Sequence, residues 1–359
     1  MSRILQTIIF DISTHGLGHL GQVAPVIQEL IARNSGLHVI VRSSHPAPVV
    51  RRFIGLPIDL DMPPPEATLV MRDPTNVDAV ASGAAYHKLH ARWHDNLERE
   101  AARLAARTPT ALIADVPYLS LAAAKRLGIP ALALCSLNWL DLYKAYCAHA
   151  DDAVDIMHTI ESAYRSADIF LQPQPHMPMT ELPNRRSIGP IARLGRRRSG
   201  EIRSALGIPQ NVKIVLVTFG GIQSRSQLQL PTMAGVHWLL PPDYSTTGLH
   251  ATNVSQIDMS FIDLLASSDA VVTKVGYCTF VEAACNGLGL VSAPRDDWPE
   301  SEHLIEWAKQ NGNFSLADIE DTDELRAALT TVLARSHKQT FPSGTAEAVD
   351  IIEPIAKLK

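Results

Sequence analysis

Short apolar runs alternate with longer amphipathic stretches along most of this chain. Ile4–Phe10 reads as a buried strand, Leu20–Arg33 as a helix and Leu37–Val41 as a second strand. Residues 78–106 form a long polar, alanine-rich helical stretch. Thr110–Ala114 then reads as a strand, Leu119–Leu127 as a helix, Ala131–Cys135 as a strand, Ala150–Ser166 as a helix and Ile169–Leu171 as a short strand. Alternation of this kind predicts a parallel sheet covered by helices on both faces.

The rhythm breaks over residues 172–200, which hold Pro173, Pro175, Pro178, Pro183 and Pro190 and the arginines Arg185, Arg186, Arg193, Arg196, Arg197 and Arg198. This segment reads as an interdomain linker. The triplet after Met62, Pro63-Pro64-Pro65, reads as an irregular connection. A second α/β series follows, with strands at Lys213–Thr218, Val236–Leu240, Ala270–Thr273 and Gly289–Ala293, and helices at Ser260–Ser267, Thr279–Cys285, Glu302–Gln310 and Thr322–Ala334. The expected fold class is α/β: two doubly wound Rossmann-like domains, residues 1–185 and 200–340, facing a cleft where strand C-terminal ends place ligands.

Composition narrows the function. A chain of 359 residues with 46% hydrophobic and 19% charged residues has core enough for two soluble domains. A formal net charge of −5 argues against nucleic acid as a partner. No apolar run is long enough to span a bilayer, and the N-terminus is too short and broken for a signal peptide, so a cytoplasmic protein without a transmembrane segment is expected. Cys135, Cys147, Cys278 and Cys285 lack metal-site spacing and read as free thiols.

The most informative segment runs from Lys274 to Glu282. It follows the apolar run Ala270–Thr273 and opens a helix, with Gly276 and Thr279 at the turn. A helix N-terminus with a glycine and a hydroxyl is an anion site, and a carboxylate one or two turns on can reach ribose hydroxyls. Near the N-terminus, Gly16, Gly18 and Gly21 satisfy the dinucleotide spacing GxGxxG. That reading wants an acidic residue at the end of the second strand, where Arg42 stands instead; Arg42 would suit an NADP phosphate. The competing reading is that His19, in a glycine-lined turn, takes a proton from an acceptor hydroxyl. A bland alternative is that His15 and His19 only cap the helix or fill the loop. His87, His90 and His94 share one face of the long helical stretch; no nearby acidic ligand supports a metal there. Trp139 suits an acceptor pocket or the core.

Taken together, these segments resemble the GT-B superfamily of nucleotide-sugar-dependent glycosyltransferases, over nearly the whole chain. Within it the look is nearest to bacterial proteins related to the N-terminal portion of plant arabinokinase. The resemblance implies a hexosyltransferase-like enzyme, inverting and metal-independent, with small-molecule donor and acceptor. No cofactor is implied: a nucleotide-diphosphate sugar, UDP- or dTDP-linked, is the substrate. Gly16-Leu17-Gly18-His19 matches the family's glycine–histidine turn, which makes His19 the base, beside Gly18. Asp115, in Ala114-Asp115-Val116-Pro117, matches the base's aspartate partner; alternatively it only caps the next turn. Gly220 and Gly221 match the phosphate loop. Lys274, Gly276, Tyr277, Thr279 and Glu282 match the donor motif, with Glu282 as the ribose carboxylate. Asp296, Asp297 and Glu300 fall in the sugar-contacting segment, and Met259 borders the nucleobase. The final helix, about Ala346 to Lys357 within residues 341–359, would pack back on the first domain. A nucleotide-sugar epimerase or hydrolase, a non-catalytic nucleotide-sugar-binding protein and an NADP oxidoreductase are the competing functions.

Overall fold

A computed structural model of the chain describes residues 6–73, 76–219, 228–335 and 339–358. It divides into two compact units, Met1–Ile191 with Ser343–Lys359, and Ala192–Pro342.

The first unit opens with β1 (Thr7–Asp11), α1 (Leu17–Arg33), β2 (His38–Arg42), α2 (Ala47–Ile54) and β3 (Asp59–Asp61). A short hairpin of β4 (Val70–Met71) and β5 (Val77–Asp78) leads to α3 (Ala79–His90) and α4 (Trp93–Arg107). Then come β6 (Ala111–Ala114), α5 (Leu119–Leu127), β7 (Ala131–Leu134), α6 (Trp139–Cys147), α7 (Ala153–Arg165), β8 (Ile169–Pro173) and β9 (Arg185–Ile188). The sheet runs β3-β2-β1-β6-β7-β8-β9, parallel throughout. All five residues of β1 are buried, as a strand covered on both faces requires.

Three features depart from the sequence pattern. The long helical stretch breaks at Ala91–Arg92, and across the break His90 stacks on Trp93 at 5.3 Å and 8°, with both rings against Tyr118. His94 is therefore on a different helix from His87 and His90. Those two are engaged separately, His87 by Asp152 at 2.6 Å and His90 by the Tyr118 hydroxyl at 2.8 Å. Second, α6 was not expected; Asn138 caps it by accepting from the Asp141 amide at 2.8 Å. Third, β9 lies inside the segment read as a linker and pairs with β8 as an edge strand.

Arg42 also departs from a phosphate-binding role. It is 2% exposed and grips both carboxylate oxygens of Asp11, at 2.5 and 2.6 Å, while its third nitrogen meets Glu100 at 2.6 Å. A buried guanidinium needs such partners, and they tie β2 to β1 and α4.

The second unit contains α8 (Ser199–Leu206), β10 (Lys213–Val217), β11 (Val236–Leu240), β12 (Ala251–Asn253), α9 (Phe261–Ser267), β13 (Ala270–Lys274), α10 (Tyr277–Asn286), β14 (Gly289–Ala293), α11 (Ser301–Asn311), β15 (Asn313–Leu316) and α12 (Thr322–Ala334). Its sheet is parallel, ordered β12-β11-β10-β13-β14-β15. One core face gathers Leu264, Phe280 and Leu304; the other gathers Trp238, Leu325 and Leu329. No helix among the described residues is long and apolar enough to cross a membrane.

The last helix, α13 (Gly344–Ile355), belongs to the first unit. Its Ala348, Val349 and Ile352 share a core with Leu20, Val23 and Ile27 of α1. A Cβ on Gly344 would fall on the backbone carbonyl of Gly189, which cannot move aside like a side chain. Gly344→Ala should therefore destabilise the first unit by about 1–3 kcal/mol. Urea unfolding followed by circular dichroism checks this; an unchanged midpoint would show that α13 docks differently.

Candidate functional site

In each unit the chemistry-bearing residues sit past the C-terminal ends of the strands, around the point where strand order reverses: β1/β6 in the first, β10/β13 in the second. In the first unit five strand ends contribute. The loop after β1 carries Ser13 and His15, then turns at Gly16 (φ 156°, ψ 166°), a conformation that glycine alone adopts freely, into α1 with His19 on its first turn. Asp115 directly follows β6, and its amide donates to the Asp11 carbonyl at 2.8 Å. Cys135 follows β7, and Trp139 starts α6. His45 lies after β2 and Glu66 after β3.

His19 Nδ1 lies 2.6 Å from Asp115 Oδ2, with both residues buried. The Ser13 amide also donates to that oxygen, at 3.4 Å. Cys135 Sγ is 3.9 Å from the same imidazole nitrogen. These three side chains are close enough together to ligate one ion. The rings of His15 and His19 face Trp139 at 5.2 and 6.2 Å. Trp139 is fully buried, so it is a core residue, but its Nε1 donates to Glu66 Oε1 at 2.9 Å. Burial pushes the Glu66 carboxyl up to about 7. Burial lowers the pKa of His45, whose ring lies against the backbone of Gly16 and Ser13.

Sequence reasoning reached His19, Asp115 and Gly18 but passed over Glu66. The only available signal was a carboxylate just beyond a strand end. β3 is too short to show in the hydrophobic pattern, and the prolines before Glu66 masked it as a plain connection.

In the second unit, Lys274 ends β13 and Gly276 caps α10 without a side-chain cap or an acidic residue in the first turn. The N-terminal end of a helix carries a partial positive charge. Lys274, Gly276 and Thr279 are half-buried, whereas Tyr277 is 7% exposed and packs in the core. Met259 is partly buried against the same core. Asp296 and Asp297 are exposed beyond β14; Glu300 is buried and accepts from Trp298 Nε1 at 3.2 Å. Arg295 stacks over the Trp298 ring at 4.2 Å. Gly220 and Gly221 lie outside the described residues.

Glu282, the carboxylate expected to meet a ribose, is paired within the chain. Its side chain is 1% exposed, and Arg193 binds both oxygens, at 2.5 and 3.2 Å. Asn286 fastens the same segment, donating to the Arg193 carbonyl at 3.1 Å and accepting from the Gly195 amide at 2.9 Å. A carboxylate buried on a helix needs this counter-charge, and the arginine-rich segment supplies it.

The fold is that of the GT-B glycosyltransferases. The chain aligns with a kitacinnamycin glycotransferase over 98% of its length and all of that chain, with TM-score 0.64 and 17% identity. A UDP-glucosyltransferase from Polygonum tinctorium, covered completely in both directions, gives TM-score 0.62 and 15% identity. In sequence, the chain is 25% identical over 309 residues to an L-arabinokinase of Arabidopsis thaliana, a match covering 82% of this chain but 29% of the kinase. No protein-family model matches.

Two outcomes follow from the buried charges. Removing the partner of Glu282 by Arg193→Met should cost about 3–5 kcal/mol in urea unfolding. The double variant Arg193→Met/Glu282→Leu should recover most of it; no recovery would mean that packing, not charge, is lost. For Glu66, a carboxyl raised from 4.5 to about 7 holds its proton more tightly when folded. Its stabilising contribution is complete below 4.5 and is lost as pH rises through about 7. Glu66→Gln does not titrate, so its thermal midpoint should gain on the wild type across that window. A difference independent of pH would contradict this.

Proposed function

We propose that the chain transfers a sugar from a nucleotide-diphosphate donor, UDP- or dTDP-linked, to an acceptor hydroxyl, with inversion at the anomeric carbon and without help from a metal ion. The observation that carries this reading is the buried His19–Asp115 pair at 2.6 Å. With Nδ1–H donated to Asp115, taking the acceptor proton would fall to His19 Nε2, and the carboxylate would stabilise the imidazolium that forms. Inversion follows if the deprotonated oxygen attacks the anomeric carbon opposite the departing diphosphate in one step.

On this reading the second unit holds the donor. The first amides of α10, the Thr279 hydroxyl and the Lys274 ammonium would stabilise the negative charge growing on the diphosphate. Asp296 and Asp297 would accept bonds from sugar hydroxyls. Glu300, tied to Trp298, would shape that loop. Met259 would border the base. A ribose could use the remaining lone pairs of Glu282 only alongside Arg193, so this carboxylate would work as half of an ion pair. The L-arabinokinase match concerns 29% of that protein, so its named activity is not carried over to this chain. Supporting the transferase reading are the fold of the two glycosyltransferases above and the coincidence of the base pair with a strand-order reversal.

The test is a binding panel of UDP, dTDP, GDP and NADP, followed by product analysis with the sugar forms of the best nucleotide. His19→Ala should lower transfer by about 10²–10⁴-fold while nucleotide affinity stays within about two-fold. Full transfer by His19→Ala would remove the base from the mechanism, and preference for NADP over all three nucleoside diphosphates would sink the reading.

A further inference from the structure

Glu66 sits in the His19 cluster, and the transfer chemistry just described leaves it unused. Two buried donors hold its carboxyl: Trp139 Nε1 at 2.9 Å and the Ser13 hydroxyl. A carboxylate has about four lone-pair positions, so two donors leave it with acceptor capacity. Ser13, Asp115, Cys135 and Trp139 are all buried, whereas Glu66 and His15 are half-buried residues at the same cluster. The groups facing Glu66 are His19, Asp115 and the buried phenols of Tyr86, Tyr118 and Tyr164. The Tyr86 hydroxyl is buried without a hydrogen-bond partner among the described residues. No lysine or arginine among the described residues pairs with Glu66 or Asp115. The site thus gathers two carboxylates and neutral donors.

We propose that Glu66 is a specificity-determining residue that reads the acceptor: its carboxylate accepts a hydrogen bond from a second hydroxyl, or from an ammonium, next to the hydroxyl presented to His19. The acceptor class is therefore a neutral polyol or an amino sugar, and an acid is rejected. With no lysine or arginine paired to Glu66 or Asp115 among the described residues, a third carboxylate is disfavoured, and a ligand that brings a further donor to the Glu66 carboxyl is favoured. The raised proton affinity of Glu66 agrees with this: burial and the Asp115 charge disfavour its ionised form despite the Trp139 and Ser13 donors, so a further donor would be favoured. The proposal rests on the transferase reading only for the name "acceptor".

Binding without donor tests it. The full chain is titrated calorimetrically with glucosamine, glucose and glucuronic acid, above and below pH 7. Above pH 7, glucosamine and glucose should bind at least about ten-fold more tightly than glucuronic acid. Glu66→Gln keeps an oxygen for Trp139 but carries no charge. In that variant glucosamine should bind about ten-fold more weakly, and its affinity should no longer rise through pH 7. An unchanged thermal midpoint below pH 4.5 would show that the variant still folds. Equal affinities for the three sugars, no binding of any of them, or an unaltered ranking in Glu66→Gln would each overturn the proposal. A chain that shows this ranking but never transfers sugar would overturn the transferase reading and leave the role of Glu66 intact.

Discussion

The reversal of strand order at the middle of each parallel sheet is the constraint on which the rest depends. Right-handed crossovers from β1 and from β6 leave toward opposite faces, which leaves a crevice at those two strand ends. The same holds between β10 and β13. Loops there can carry polar groups without breaking a core, and both candidate half-sites occupy these gaps. The second unit offers helix amides and Lys274; the first offers an imidazole held by a carboxylate.

Burial then decides which charged residues are structural. Arg42 looks available for a ligand phosphate by position alone, yet Asp11 and Glu100 hold it below the surface. Glu282 stands at a donor-motif position, yet Arg193 covers it. In both cases a charge taken out of water needs a partner at hydrogen-bond distance, and the partner comes from a distant segment. The His19–Asp115 pair obeys the same rule with one difference: an imidazole can change its charge near neutral pH, which a guanidinium cannot.

Glu66 shows how a site grows beyond its core pair. It comes from the connection after the shortest strand of the first sheet, and Trp139 anchors it from the far side of the site. The indole gains a partner that a buried N–H requires, and the carboxyl is held in a setting that resists ionisation. One hydrogen bond therefore fixes a core aromatic and a site residue together.

The apolar runs by themselves determined most of the fold. Every strand end that flanks the two reversals, and the helices α1, α5, α9, α10 and α12, is visible because buried parallel strands must be short apolar runs and their covering helices must keep an apolar face. The glycine–histidine turn, Asp115 and the Lys274–Glu282 segment were visible for a related reason: they adjoin those runs. Only the tertiary structure decided where the 78–106 stretch breaks, that residues 185–188 extend the first sheet, that Arg42 and Glu282 are internally paired, and that Glu66 joins His19. Each of these depends on two groups far apart in sequence meeting in a low-dielectric interior, and a one-dimensional pattern carries no record of which charge finds which partner.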